Sequence, residues 1–289
     1  MSFNYYKKYL KYKQKYINFI KQFGSGFIDI TRITDYILIG SGYNVKVYID
    51  KTEPEYIHKV YKYTEESLQL AQKQIDVQTY IQDNLTYENI NNIRIPNLYE
   101  YSFDSEENEI VLTFDRIFNI NDTDINNPSK IINIILSNNS VDQTEVAGRG
   151  ITKNLNYLEA IIHVYKTREY MGELGRLFAR LNYQLFIQLD DIEIIFGKSK
   201  IDSHKYKLYI IDFDRCSKFD VGTPEKKQRI FDGTYAKLGL LINLRNYTEY
   251  NKLSQVNKLN FETGYITEAY KYGVSYENAS AVFKHFRNA

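Results

Sequence analysis

Residues 170–214 read YMGELGRLFARLNYQLFIQLDDIEIIFGKSKIDSHKYKLYIIDFD, and the order of patterns within them decides the fold. Met171, Leu174, Leu177, Phe178, Leu181 and Leu185 recur mainly at steps of three and four, which predicts a core helix over 170–185. The runs 191–196 and 207–213 are rich in β-branched and aromatic residues and predict two short strands behind it. Acidic residues punctuate those strands. Asp190, Asp191 and Glu193 surround the start of the first, and Asp212-Phe213-Asp214 closes the second, so carboxylates are delivered from the ends of apolar segments. An aspartate that ends a strand also occurs where no metal binds, so the pattern gains meaning from what precedes it.

Upstream, 37–40, 43–49 and 56–63 predict three strands separated by turn-forming SGYN and DKTEPE stretches. Residues 64–84 predict a helix with Thr64 as N-cap and Glu65 and Glu66 at the positive end of its dipole. Residues 98–103 and 109–117 alternate again around the acidic turn DSEENE. An asparagine-rich stretch follows, and 129–136 and 155–165 carry helical patterns. At the N-terminus, Tyr5, Tyr9, Tyr12, Tyr16, Phe19 and Phe23 form a heptad seam over 2–23, which predicts an amphipathic helix ended by the glycines of FGSGF. That helix packs on the body of the protein or offers its tyrosine face to a protein partner. The predicted organisation is an N-terminal helix and glycine hinge over 1–27, a β-rich part over 28–117 and a mainly helical part over 118–289. The fold class is α+β.

Composition narrows the function classes. Over 289 residues, 37 Lys and Arg against 36 Asp and Glu leave a formal charge of +1, so no global field drives the molecule onto nucleic acid or an anionic bilayer. Cys216 is alone, and the four histidines show no zinc spacing. No apolar run approaches the roughly 20 residues of a membrane span. These features predict an intracellular, cytoplasmic protein. The 28 tyrosines accompany no tryptophan and 4 prolines, a skew expected from an AT-rich genome, so the aromatic count alone argues for no ligand.

The order of a small sheet with one helix, a polar connector, a long helix and two short strands resembles the protein-kinase-like superfamily, including its aminoglycoside-phosphotransferase branch. Ile39-Gly40-Ser41-Gly42-Tyr43-Asn44-Val45 resembles the glycine-rich hairpin over ATP phosphates, although the same turn also serves ordinary hairpins. Ile57-His58-Lys59-Val60 resembles the strand whose lysine binds phosphates. The resemblance implies a two-lobed fold with ATP and Mg²⁺ as cofactors. Gly40, Gly42 and Lys59 then hold phosphates, Asp76 stands where the helix acid pairs with the lysine, and Asp212 and Glu193 hold metal. Aligning Glu193-Ile194-Ile195 with the family's Asn-Ile-Leu puts Gln188 at the catalytic aspartate. Glutamine cannot accept a proton, and Asp190 or Asp191 replaces it if the loop is wound differently.

The block 171–213 is also similar to an uncharacterised fungal domain family described as zinc-finger-like. The similarity runs through Asp191–Gly197, Ile210–Asp214 and Asp115-Arg116-Ile117, the last of which makes Asp115 a candidate binding residue. KYLKYKQKY over 8–16 resembles N-termini of proteins of large DNA viruses that infect protists. Together these resemblances imply a pseudokinase or an atypical ATP-dependent phosphotransferase. The alternative is a viral structural or host-interaction protein without nucleotide chemistry.

Overall fold

The computed structural model describes residues 36–41, 45–104, 108–118, 133–134, 167–201, 207–243 and 255–287. The chain divides into two compact units, 1–36 and 37–289; the elements below belong to the second, apart from Tyr36, the first residue of the first strand. The N-terminal helix, Gly42 and the 155–165 pattern lie outside the described residues.

Strands β1 (Tyr36–Ser41), β2 (Val45–Asp50) and β3 (Tyr56–Lys62) lead to helix α1 (Glu65–Asn84). The short β4 (Ile93–Arg94) follows, then β5 (Leu98–Asp104) and β6 (Glu109–Asp115). β1, β2, β3, β6 and β5 form one antiparallel sheet in the order β1-β2-β3-β6-β5. Thr64 caps α1 as its sequence predicts, its side chain accepting from the Ser67 amide at 3.1 Å. Tyr61, Ala71, Ile75, Ile110, Leu112 and Phe114 make the core between this sheet and α1.

A larger core contains α2 (Thr167–Ala179), α3 (Pro224–Phe231), α4 (Thr234–Lys237), α5 (Gln255–Lys271) and α6 (Tyr276–Arg287). The fold is therefore α+β, with six α-helices among the described residues. α2 and α5 cross with backbone against backbone. A Cβ on Gly264 would lie 2.0 Å from the Gly172 carbonyl oxygen, and one on Gly175 would lie 2.1 Å from that of Phe261. No side chain fits at either place, which is why the crossing uses glycine. No described helix is long and apolar enough to cross a membrane.

Three expectations about elements change. The predicted helix over 170–185 is α-helical to Ala179 and π-helical over Arg180–Gln184, with Leu185 N–H donating to the Arg180 carbonyl at 3.0 Å. Asn182 in that widened turn donates to the carbonyls of Ile187 and Leu241 and accepts from the Tyr265 hydroxyl, tying three segments together. Residues 187–190, expected as loop, form β9 (Ile187–Asp190), which pairs with β12 (Ser217–Lys218) and β13 (Ile242–Asn243). Within the helical pattern of 129–136, β8 (Asn133–Ile134) is a strand paired with Ile194 and Ile195, in keeping with its β-branched run. The two strands predicted at 191–196 and 207–213 are β10 (Glu193–Ser199) and β11 (Lys207–Ile211), which pair antiparallel and join β4 and β7 (Ile117–Phe118) in a second sheet.

Candidate functional site

Strand parity selects Lys59. On β3, Ile57 and Tyr61 pack with the core under α1, and Lys59 shares their face; Lys62 lies on the opposite parity and is exposed. From this position the Lys59 ammonium contacts Gln74 Oε1 at 3.1 Å and lies 5.3 Å from the centre of the Tyr61 ring. It also makes direct contact with Asp212, 153 residues away, and reaches Asp214 Oδ2 at 3.8 Å. Ammonium and carboxylates are largely covered, with 13% of the Lys59, 31% of the Asp212 and 15% of the Asp214 side chain exposed.

The end of β11 aims the acids. Asp212 has φ +68° and ψ +61°, a left-handed conformation that costs a non-glycine residue roughly 1–2 kcal/mol and turns the chain into the 3₁₀ turn Phe213–Arg215. Phe213 is fully buried between the two aspartates and anchors the turn. Asp212 and Asp214 flank that anchor and meet the same ammonium.

Glu193 opens β10 opposite Ile211, the residue before Asp212. Burial, and then the charge of Asp212, push its carboxyl up to about 7. Burial likewise raises Asp214, against the pull of Lys59. Burial works against the charge of Lys59, yet Asp212, followed by Tyr61 and Asp214, holds its pKa well above the ordinary lysine value. The neighbourhood thus sets Lys59, and Arg215 beside it, against the carboxyl groups of Asp212, Asp214, Glu193 and Asp191.

The remaining candidates divide. Asp191, at φ +53°, pairs with Arg215 at 3.1 Å, and its charge acts on both Glu193 and Asp214. Gln188 lies inside β9 and accepts from the Ser217 hydroxyl at 3.4 Å, so among the looped and strand residues of 187–191 it is Asp191 that borders the acidic cluster. Residues 187–190 are held as strand and the chain bends at Asp191. The backbone and sulfur of Asp190 and Cys216 contact each other at 3.4 and 3.5 Å. Burial and then Asp191 raise the Asp190 carboxyl, whose Oδ1 is buried without a hydrogen bond.

Asp76 is not the partner of Lys59. It is exposed and accepts from Gln72 at 2.8 Å, whereas Gln74, two residues earlier and about 200° around the helix, faces the lysine. Asp115 is buried at the end of β6, accepting from the Asn97 amide at 2.8 Å and the Tyr99 hydroxyl at 2.9 Å, which secures the entry to β5. Gly40 is half-buried in β1.

Sequence reasoning passed over Gln74 as Lys59's helix partner and Asp214 as a site acid. The signals existed: Ser67, Ala71, Gln74 and Gln78 recur at three and four along the buried face of α1, and Asp214 follows Asp212 by two.

The donor set suits Mg²⁺, which takes carboxylate oxygens and completes its shell with water and nucleotide phosphates. Among the described residues, no three of His, Cys, Asp and Glu stand ready to hold a metal unaided. No family model matches the chain, and no curated protein does.

Proposed function

We propose that this protein is a kinase-like nucleotide-binding protein, with Lys59 on the nucleotide phosphates and Asp212, Asp214 and Glu193 toward Mg²⁺. The observation that carries the reading is the contact of Lys59 with Asp212 across 153 residues, in a part-buried cluster whose carboxyl groups outnumber its ammonium. Bound Mg-ATP supplies the transferable phosphoryl group and neutralises charge on it. Lys59 must exchange its Asp212 contact for a phosphate oxygen, and Gln74 keeps it in place without adding another negative charge. Gly40 belongs to the strand that leads into the glycine hairpin.

The same reading favours binding over rapid transfer. Gln188 has no basic group, and Asp191, the carboxylate that borders the cluster, is engaged by Arg215 at 3.1 Å. The protein is therefore a pseudokinase or a slow, atypical phosphotransferase, in which Asp191 takes the acceptor's proton once Arg215 lets it go.

Thermal denaturation with and without Mg-ATP tests this. Ligand at 100 times its dissociation constant should stabilise the native state by roughly 2.7 kcal/mol. Asp212→Ala should abolish that increment, judged against the variant's own unliganded melting temperature because the substitution also removes an ion pair. Phosphate transfer from labelled ATP, lost in Asp191→Asn, would make the protein an enzyme; stabilisation without transfer would make it a pseudokinase. An absence of any increment in the unaltered protein would leave the interaction-protein alternative.

A further inference from the structure

Helix α5 buries one face and leaves the other to solvent. Phe261, Tyr265 and Ala269 lie in the helical core. Opposite them, Val256, Leu259, Thr263, Ile266 and Tyr270 follow one another at steps of three and four, the spacing of a heptad seam. At 3.6 residues per turn these five positions fall within an arc of about 80°. Val256, Leu259 and Tyr270 are 47%, 60% and 72% exposed, Thr263 is exposed and Ile266 is half-buried.

The seam also carries no charge. The four charged residues of α5, Lys258, Glu262, Glu268 and Lys271, all fall outside the arc. A helix face turned only to water carries its polar and charged residues there, whereas α5 keeps its charges to the sides and sets apolar groups outermost. Single exposed apolar residues are ordinary on a protein surface; five seam positions in heptad register without a charge are the pattern of a helix that meets another helix.

We propose that this seam joins two copies of the chain, α5 packing antiparallel on α5 about a two-fold axis. In that arrangement Tyr270 of one copy meets Leu259 of the other, and Ile266 meets Thr263, so each layer sets a larger side chain against a smaller one. Because no charge stands on the seam, self-pairing brings no like charges into opposition, and the formal charge of +1 gives two copies little reason to repel. The exposed parts of the seam and of neighbouring Thr267 amount to roughly 500 Å² per copy, so the pair buries about 1,000 Å² in total, at the small end of specific interfaces. That area suits a reversible dimer. The inference concerns a different part of the molecule from the Lys59 cluster and does not rest on nucleotide binding.

Sedimentation equilibrium of the full chain over roughly 5–500 μM should show a concentration-dependent passage from monomer toward dimer. Leu259→Glu and Tyr270→Lys should each weaken that association at least about tenfold, while their melting temperatures at the lowest concentration stay within a few degrees of the unaltered chain, because both side chains are exposed. Mixing the two variants should restore dimer, since the antiparallel pair then sets the new glutamate against the new lysine in one layer and keeps Leu259 against Tyr270 in the other. The proposal is overturned if the unaltered chain stays monomeric throughout, which would leave the seam to a helix of another protein. It is equally overturned if the variants associate as the unaltered chain does, or if their mixture stays as weak as each alone.

Discussion

Two ion pairs, one buried and one part-buried, join distant parts of this chain, and they are built on opposite terms. Arg180 donates to Glu268 at 2.7 Å and to the carbonyls of Thr86 and Glu88 at 2.6 and 2.7 Å, while Lys271 covers the second oxygen of Glu268 at 2.7 Å. The guanidinium and carboxylate are 4% and 2% exposed, and every group has its partner. At Lys59, one ammonium faces Asp212 and Asp214, with Glu193 near enough to be driven up to about 7 by burial and by Asp212. The first pair is saturated and locks α1's exit to the helical core. The second leaves carboxyl groups in surplus, a local conflict that folding alone does not require and that a bound cation would relieve. The contrast in saturation, more than burial, separates framework from site.

The largest effect should come from breaking the saturated pair. Glu268→Gln leaves Arg180 buried without its counter-charge, a change worth roughly 3–5 kcal/mol in comparable buried pairs. Urea denaturation should show the lower midpoint with an unchanged slope. Asp212→Asn should cost clearly less, because Asp214 remains beside Lys59 at 3.8 Å. Equal losses at the two places would remove the distinction between them.

A second, smaller effect sharpens the contrast through pH. Glu193 titrates near its ordinary 4.5 when unfolded and at about 7 when folded, raised first by burial and then by Asp212. The folded state therefore keeps a proton that the unfolded chain gives up. That contribution to stability is fully present below pH 4.5 and is lost as pH climbs toward 7, by on the order of 2–3 kcal/mol. The raised carboxyls of Asp214 and Asp190 act with the same sign. Glu193→Gln should flatten this slope and make the protein more stable than its parent at pH 8, as followed by chemical denaturation across pH. A slope unchanged by the substitution would show that Glu193 does not share the cluster's charge.

Much of this arrangement was legible in the residues, and what was not has identifiable causes. The strand that carries Lys59, the Thr64 cap and the Asp212-Phe213-Asp214 ending rest on local chemistry, so they could be read one segment at a time. The π-helical turn at Arg180–Gln184 depends on Asn182 reaching Ile187, Leu241 and Tyr265, contacts that no window of sequence contains. β9 escaped notice because its four residues owe their strand to β12 and β13, which arrive later in the chain. The passage from β9 to β10 takes only Asp191 and Ile192, a tightness that counting back from Glu193 along the sequence does not show.

The choice between Gln74 and Asp76 gives the smallest expected effect and the most local check. Asp76 is exposed and touches Gln72, so Asp76→Asn should change stability by no more than about 0.5 kcal/mol and leave any Mg-ATP increment intact. Gln74 is 3% exposed and accepts from both Lys59 and the Tyr61 hydroxyl at 3.1 Å. Gln74→Glu would place another carboxylate beside an ammonium that Asp212 and Asp214 already contact, deepening the surplus instead of completing a pair. Its stability should consequently fall as pH rises above neutrality and recover in part when Mg²⁺ is added, a dependence that denaturation at two pH values, with and without the metal, reads directly. If Asp76→Asn carried that dependence and Gln74→Glu did not, the face of α1 turned toward Lys59 would be the other one, and the surplus at the site would shrink to an ordinary charge pair.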